Sequence, residues 1–192
     1  MGYYNEKDVI EIIKSHRSYL QKNDINGFLS SIDNIYQRGP VVEFLLLKTS
    51  IPILKYIDTI PSDFLYGAEN VKSIVIPGNI NTIEKEAFKN SSLVQVDMEQ
   101  GVQRLGNYVF ANSKNLEVVN LSDTINTIPS HAFEGCTKLK KLFLPDSINL
   151  IGVDAFKGCD DVELIANYRQ ADKIRAKKSD YDFLKKHLKF TH

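Results

Sequence analysis

The amino-acid sequence predicts a solenoid of parallel β-strands, with one turn per about 23 residues and α-helical caps at both ends. The first observation is that five consecutive segments match one another, four of 23 residues and one of 22. The second is that each segment ends in alternating apolar residues, as a half-buried strand does. The third is that the flanking regions carry apolar residues at helical spacing instead. A fixed period of this size is typical of stacked-repeat proteins.

The N-terminal region, residues 1–56, is predicted to form an α-helical cap. Asn5 and Asp24 can each cap a helix, because their side-chain oxygens accept hydrogen bonds from backbone N–H groups. Apolar residues follow at helical spacing: Val9, Ile12, Ile13, Leu20, Ile25, Phe28, Leu29 and Ile32. Gly39–Pro40 indicates a stop and a fresh start. The stretch "PVVEFLLLKTS" then fits a short buried helix better than a buried strand, and Pro52 ends it.

Residues 57–170 contain the matching segments, and each segment is predicted to form one turn of a coil. They span residues 57–79, 80–101, 102–124, 125–147 and 148–170. Equal positions of successive turns stack in columns, and one column is aromatic: Phe64, Phe88, Phe110, Phe133 and Phe156. Strands of successive turns then pair in parallel, about 4.8 Å apart. Because one turn cannot bury its own apolar face, the stack needs neighbours and end caps.

The C-terminal region, residues 171–192, is predicted to form a basic helical cap. Asp180 is the expected helix cap, and the apolar side consists of Ile174, Tyr181, Leu184 and Leu188. Residues 168–192 hold eight basic and three acidic side chains, a net charge of +5, although the whole chain is neutral. This tail fits either a soluble cap face or contact with a phosphate backbone. The second role would use Arg169, Lys173, Arg175, Lys177 and Lys178.

The fourth segment contains a motif that recurs in part in the others. It reads I-x-x-I-x-x-x-A-F-x-G-C-x-x-L-x-x-L-x-L-P and consists of Ile125, Ile128, Ala132, Phe133, Gly135, Cys136, Leu139, Leu142, Leu144 and Pro145. The second and third segments have Asn90 and Asn112 in place of the glycine. The pattern resembles the BspA-type leucine-rich repeat family. This resemblance implies a leucine-rich-repeat solenoid, and surface-exposed members of that family act as adhesins.

The composition narrows the range of functions. Basic and acidic residues number 24 each, so net charge gives no argument for nucleic acid or an anionic membrane. The N-terminus lacks a basic start followed by an apolar run, and no stretch approaches the roughly 18 apolar residues of a membrane span. The two cysteines do not form a disulfide framework. We therefore expect a cytoplasmic protein without a cofactor and without membrane contact.

Few residues invite a catalytic interpretation. Cys136 and Cys159 fall at the same position of adjacent turns, which favours two small buried thiols in a core column, although a disulfide between adjacent turns is geometrically allowed. His131 follows Ser130, but no nucleophile motif surrounds the pair, so a solvated loop residue is expected. No phosphate-binding loop, dinucleotide fingerprint or metalloprotease motif is present in the sequence. We therefore predict that the protein is not an enzyme.

The alternating end of each segment directs every second residue away from the core. One outward column would be Ser73, Gln95, Val118, Lys141 and Leu164, and the other Val75, Asp97, Asn120, Phe143 and Ala166. Phe143, Val118 and Val75 are apolar where the pattern expects solvent, and charged residues frame them. Such a cluster with a polar rim is typical of a binding patch. We predict a partner site formed by Val75, Asp97, Val118, Asn120, Lys141 and Phe143.

These observations predict a non-enzymatic protein-interaction module that binds a macromolecular partner through the solenoid face. One concrete form is a phage-type inhibitor or adaptor that acts on a host or defence protein. Two alternatives remain open. One is a nucleic-acid-contacting protein that uses the basic C-terminal helix, and the other is a fragment of a surface adhesin. The sequence specifies neither the identity of the partner nor the oligomeric state.

Overall fold

The computed structural model of the chain describes residues 6–22, 24–32, 35–48, 53–170 and 172–191. Helices come first, parallel strands follow, and a short helix with one more strand ends the described chain. Asn5 and Pro52, which the sequence predicts as a helix cap and a helix end, lie outside the described residues. Among the described residues, no helix combines the length and the apolar character needed to cross a membrane.

The N-terminal cap consists of α1 (Glu6–Ser15), α2 (Arg17–Gln21), α3 (Ile25–Ser31) and α4 (Ile35–Lys48), followed by a 3₁₀ turn at Ile53–Tyr56. Asp24 caps α3 as predicted, because the Gly27 N–H donates to its Oδ1 at 2.8 Å. The predicted stop at Gly39–Pro40 is wrong, since α4 continues through both residues. Gly39 instead allows close packing, because a Cβ there would clash with the carbonyl oxygen of Tyr66. The helix buries Val41, Val42 and Leu45 completely, and this burial outweighs the hydrogen bond that Pro40 removes.

The solenoid carries two series of parallel strands, one at each of two sides of the coil. The short series is β1 (Thr59–Ile60), β3 (Thr82–Ile83), β5 (Arg104–Leu105), β7 (Thr127–Ile128) and β9 (Leu150–Ile151). The long series is β2 (Ser73–Ile76), β4 (Gln95–Met98), β6 (Val118–Asn120), β8 (Lys141–Phe143), β10 (Glu163–Asn167) and β11 (Leu188–Thr191). Every strand pair is parallel. Equal repeat positions face each other in the pairs of the first four turns, for example Ile74, Val96 and Val119. The predicted parallel-strand solenoid is therefore confirmed.

The aromatic column forms a continuous file through the core. Ring centroids of Phe88, Phe110, Phe133 and Phe156 follow one another at 5.3 Å, with the rings nearly parallel. Phe64 begins the file with an edge-on contact to Phe88 at 6.4 Å. Each aromatic pair stabilises the fold by about 0.5–1.5 kcal/mol beyond the area that it buries. The file therefore fixes the vertical register of the turns.

The glycine position of the motif requires a left-handed backbone. Gly135 has a φ of 71° and Gly158 one of 76°, and Asn90 and Asn112 each have a φ of 58°. Glycine adopts this conformation without steric penalty, and asparagine tolerates it better than most other residues. The two asparagines are therefore conservative replacements, and they leave the turn geometry intact.

The C-terminal segment completes a sixth turn of the coil. The predicted helix is present as α5 (Tyr181–His187), and the ring of its Phe183 stacks on Phe156 with centroids 6.2 Å apart. After α5 the chain forms β11, a strand that the sequence analysis does not predict, and β11 pairs in parallel with β10. Arg175 extends the short series through a parallel bridge to Leu150.

Candidate functional site

The candidate site is the strand face, defined as the solvent side of β2, β4, β6, β8 and β10. Side chains alternate between the two sides of each strand, so Ile74, Val96, Val119 and Leu142 enter the core while their neighbours face solvent. All of the residues predicted to bind a partner lie on this face: Val75, Asp97, Val118, Asn120, Lys141 and Phe143.

The predicted outward columns are wrong in the fifth turn. Leu164 and Ala166 are buried there, and Glu163 and Ile165 lie beside Lys141 and Phe143 instead. The spacing from Val162 to Leu164 is one residue shorter than that from Leu139 to Leu142 in the turn before. A one-residue shift exchanges the two faces of a strand, because side chains alternate with a period of two.

The apolar part of the strand face is formed by Phe143 and Val118. The Phe143 side chain is 64% exposed and that of Val118 is 42% exposed. Val118 in β6 occupies the repeat position that Lys141 occupies in β8 of the next turn, so the repeat places Val118 diagonal to Phe143. The Lys141 ammonium lies 6.0 Å from the centre of the Phe143 ring and 3.9 Å from the Glu163 carboxylate. The patch thus combines two apolar side chains with a cation.

Val75 is separated from that patch by hydrogen-bonded polar residues. The Asn120 amide donates to Asp97 Oδ1 at 2.5 Å, and the Gln95 amide donates to Asp97 Oδ2 at 2.6 Å. Strand pairing places Val75 beside Asp97, and Asp97 beside Asn120. The structure therefore divides the predicted site into a Phe143–Val118 patch, a polar cluster centred on Asp97, and an isolated Val75.

Charged pairs border the Phe143–Val118 patch. Lys140 Nζ lies 2.6 Å from Asp161 Oδ2, and Lys138 Nζ lies 3.9 Å from Glu117 Oε1. The hydrogen bond from Lys140 lowers the pKa of the Asp161 carboxyl below its ordinary value, so this pair stays charged. A rim of paired charges around exposed apolar side chains matches the anatomy of a protein–protein interface.

The two cysteines are free and buried, which confirms their interpretation as core residues. Each thiol donates to a phenylalanine carbonyl of the preceding turn, Cys136 to Phe110 at 3.1 Å and Cys159 to Phe133 at 3.0 Å. Burial raises the pKa of both thiols, that of Cys159 to about 12, so neither is a thiolate near neutral pH. In the described part of the chain, no group of three or more His, Cys, Asp or Glu side chains could hold a metal ion.

His131 lies in a loop as predicted, but it is half-buried rather than freely solvated. Its ring stacks on Tyr108 with centroids 4.4 Å apart, and its Nδ1 lies 2.9 Å from Glu134 Oε2. These contacts hold the imidazole against the surface of the turn. The residue therefore acts as a structural contact between successive turns.

The last position of the repeats forms a polar column, which is not among the predicted features. Asn79, Thr124, Ser147 and Gln170 each donate a side-chain hydrogen bond to the carbonyl of the residue that opens their own turn. The second repeat has Gly101 at this position. The signal was available, because an amide or hydroxyl recurs at one fixed place in four of the five segments.

The basic residues of the nucleic-acid alternative are all exposed at the C-terminal end. They are Arg169, Lys173, Arg175, Lys177 and Lys178. Arg169 follows β10 and lies 5.8 Å from the centre of the Tyr168 ring. Lys177 and Lys178 precede α5, so the five side chains belong to a loop and two turns instead of one helix face.

The prediction that the Asp180 side chain caps α5 is wrong. Asp180 occupies the position before the helix, but its side chain makes no capping hydrogen bond there. Its Oδ1 instead accepts from the Asp154 N–H at 3.2 Å. In the turns before, the corresponding N–H groups donate to a carbonyl of the next turn, for example His131 to Val153 at 2.9 Å. Asp180 therefore supplies the acceptor that a further turn would otherwise provide.

The chain is similar to a known repeat family and to several solved structures. The BspA type leucine rich repeat region matches residues 47–176 in six copies, one more than the five segments read from the sequence. The chain is similar to a leucine-rich repeat protein of Bacteroides ovatus, with 29% identity and a TM-score of 0.51 over 59% of this chain and 29% of that one. No curated protein matches the chain.

Two more solved structures are similar to the chain. A leucine-rich repeat protein of Eubacterium ventriosum has 20% identity and a TM-score of 0.53 over 58% of this chain and 30% of that one. A leucine rich cell surface protein of Faecalibacterium prausnitzii has 26% identity and a TM-score of 0.49 over 58% of this chain and 34% of that one. The matched part of the chain covers about a third of the length of each of these proteins. Because the repeat match spans more than half of the sequence, the chain belongs to the BspA-type leucine-rich repeat family.

Proposed function

We propose that this chain is a non-enzymatic protein-interaction module that binds a protein partner through the strand face, with Phe143 and Val118 as anchors. Repeat proteins of this kind generally bind macromolecules along an extended surface. The single observation that carries the proposal is the 64% exposure of Phe143 on a regular strand, one turn away from the exposed Val118. In the stacked architecture such a ring adds nothing to the core.

The energetics of the patch favour binding. Complete burial of one large apolar side chain stabilises a complex by about 1.5–3 kcal/mol. The strands hold Phe143 and Val118 in place before the partner arrives, which reduces the entropy lost on association. The Lys140–Asp161 and Lys138–Glu117 pairs form a polar rim that a partner can match with its own charges.

The form that we propose is an inhibitor or adaptor of the phage type, which acts in the cytoplasm on a host or defence protein. The two free buried thiols support a reducing compartment, because secreted proteins more often carry disulfides. An adhesin fragment would use the same face outside the cell. Fractionation of the native host distinguishes the two, since an adhesin is recovered with the cell surface.

The test of the strand face is a comparison of capture by the native chain and by a double variant, Phe143→Ala with Val118→Ala. The native chain is immobilised, and its captured partner is identified by mass spectrometry. The double variant should bind that partner at least about thirty times more weakly, as the loss of a hot-spot aromatic predicts. Its melting temperature should change little, because both side chains are exposed.

Tyr56→Ala is the matched control, since Tyr56 is an exposed aromatic residue of the N-terminal cap. It should leave capture of the same partner unchanged. Full capture by the double variant would count against the strand face as the binding surface.

The nucleic-acid alternative remains supported by the exposed basic side chains of the C-terminal end. Contact with phosphates releases counterions, so binding to DNA or RNA must weaken steeply as salt rises. A titration with single-stranded oligonucleotides at low salt tests it. The absence of binding there would remove this alternative.

A further inference from the structure

The last strand of the sheet has an open edge. β11 pairs with β10 on one side, and among the described residues no strand pairs with its other side. An open edge presents unpaired N–H and C=O groups, to which another extended chain can add. At the N-terminal end four helices precede the first strand, and the buried side chains of α4 belong to the same core as the first turn.

Hydrogen bonds of β10 show which groups of β11 point outward. The Leu144 N–H donates to the Ile165 carbonyl at 2.7 Å, so Ile165 bonds towards β8. Successive residues of a strand direct their peptide groups to opposite sides, so Leu164 and Ala166 bond towards β11.

Within β11 the direction alternates in the same way. Lys189, the partner of Ile165 in the register, bonds back to β10. Phe190 therefore directs its N–H and C=O to the open side. The Leu188 N–H is already bonded to the Leu184 carbonyl, which leaves the Phe190 N–H as the outward donor of the strand.

The charge at this end indicates which kind of extended chain could pair with β11. Every Lys and Arg side chain of residues 168–192 is exposed, and none forms an ion pair with another described residue. They are Arg169, Lys173, Arg175, Lys177, Lys178, Lys185, Lys186 and Lys189. The lysines of the strand face, by contrast, are paired with carboxylates. Two copies of this end would repel each other, so the charge favours an acidic partner.

We propose that β11 accepts an extended acidic segment of a partner protein, which adds to the sheet as a further strand. This inference goes beyond the proposed function, because it concerns the end of the stack and not the strand face. Strand addition uses main-chain hydrogen bonds for affinity and side-chain contacts for specificity. Phe190, which is 43% exposed, and the basic side chains around it supply those contacts. A nucleic acid would use the charges but not the outward N–H and C=O of Phe190.

The probe is a short fluorescent peptide in which Glu alternates with Val, and binding is measured by fluorescence anisotropy. A peptide in which Lys alternates with Val is the charge control. The acidic peptide should bind, and its affinity should fall between about 50 mM and about 300 mM salt, because exposed charges are screened. The basic peptide should not bind. Equal binding of both peptides overturns the proposal.

Two substitutions at one position separate the backbone from the side chain. Phe190→Ala removes the ring and keeps the N–H, whereas Phe190→Pro removes both. Proline is tolerated on the open side of an edge strand, so β11 should still pair with β10. We expect Phe190→Pro to bind the acidic peptide about five to ten times more weakly than Phe190→Ala, as the loss of one hydrogen bond predicts. Equal affinity of the two variants overturns strand addition.

A charge reversal completes the test. Lys189→Glu should weaken binding of the acidic peptide about fivefold at low salt. Lys55→Glu, an exposed lysine of the N-terminal cap, should leave it unchanged. Two other outcomes overturn the proposal: oligo(dT) binds where the acidic peptide does not, or sedimentation shows self-association that Phe190→Pro abolishes. The strand-face variant Phe143→Ala should bind the peptide normally, so failure here is distinct from failure of the proposed function.

Discussion

The two ends of the solenoid differ in how completely their apolar surface and backbone groups are covered. A stack of turns leaves an apolar face and unpaired backbone groups at each end. At the N-terminal end, α4 buries Val41, Val42 and Leu45 completely. At the C-terminal end, the seven-residue helix α5 covers the core with Phe183 and Leu184, and β11 remains open along one edge.

Both ends replace the missing turn with side chains that bond to its backbone. Glu43 of α4 accepts from the Asn70 N–H at 2.5 Å and from the Glu69 N–H at 3.3 Å. Asp180 accepts from the Asp154 N–H at 3.2 Å. The end turns of a repeat stack therefore need acceptors for their backbone N–H groups, in place of the next turn, as well as apolar cover.

The largest expected effect comes from breaking the apolar cover. Leu45→Ala should lower the free energy of unfolding by about 2–5 kcal/mol, because the side chain is fully buried and leaves a cavity. Leu184→Ala at the other end should lower it by about 1–2 kcal/mol, because the short helix α5 can move into the space that the leucine leaves. Urea unfolding followed by circular dichroism measures both values.

Leu47→Ala is the control for this comparison, because Leu47 lies on the exposed side of α4. It should change stability by less than about 0.5 kcal/mol. Equal losses for Leu45→Ala and Leu184→Ala would show that the two ends are covered equally well.

A smaller effect is expected from the substitute hydrogen-bond partners. Glu43→Gln replaces one of two accepting oxygens by an amide nitrogen, which cannot accept from a backbone N–H, and should cost about 1.5–3 kcal/mol. Asp180→Asn keeps an oxygen that can accept from the Asp154 N–H and should cost about 0.5 kcal/mol or less. Hydrogen exchange of the Asn70 amide should accelerate in the first variant.

Glu11→Gln serves as the control, since Glu11 is an exposed residue of α1 that forms a solvent-exposed ion pair with Lys14. Its unfolding free energy should match that of the native chain. An Asn70 amide that remains protected in Glu43→Gln would refute the assigned role of Glu43.

The difference between the repeats and the two ends also explains which parts of the fold the sequence could predict. Phe88, Phe110, Phe133 and Phe156 recur at nearly constant spacing, so their column follows from the repeat alone. β11 has no such signal, because the spacing from Phe156 to Phe183 is longer than the repeat. Contacts such as Glu43 with Asn70 join regions that no periodicity relates.

The strand face was predictable to a similar extent. The outward positions of the first four turns follow from alternation, and all of the predicted partner-binding residues lie on them. The fifth turn fails because a one-residue deletion before Leu164 leaves two registers with comparable apolar patterns. The separation of Val75 from Phe143 depends on hydrogen bonds between Asp97 and its neighbours, which composition does not reveal.

The smallest expected effect concerns one position that both ends share. Asp63 and Asp154 occupy the same place in the first and fifth turns, each with a positive φ. Asp63 is buried, and its Oδ1 has no hydrogen-bond partner in the described structure. Burial, reinforced by the nearby Glu86 carboxylate, raises the pKa of Asp63 above its ordinary value of 3.8. Asp154 instead lies 3.7 Å from the Lys157 ammonium and is more exposed.

Asp63→Asn should therefore stabilise the protein, by about 1 kcal/mol near pH 7. A carboxyl group whose pKa is raised by folding destabilises the native state when it is charged. That penalty is present above the folded-state pKa and disappears as pH falls through this pKa towards the unfolded value. Urea unfolding at about pH 7 and about pH 4 should show the gain shrinking at the lower pH. Asparagine tolerates the positive φ, so the backbone adds no new strain.

Asp154→Asn is the matched substitution at the other end. It removes an exposed ion pair from the same backbone position and should change stability by less than about 0.5 kcal/mol at either pH. If Asp63→Asn lowered stability near pH 7, the buried carboxylate would have to be stabilised by Arg38, Lys85 and Lys89, the cations that oppose the effect of Glu86. Ion pairs of Asp63 would then stabilise the first turn in addition to the packing of the helices. The two ends would differ in their ion pairs as well as in their apolar cover.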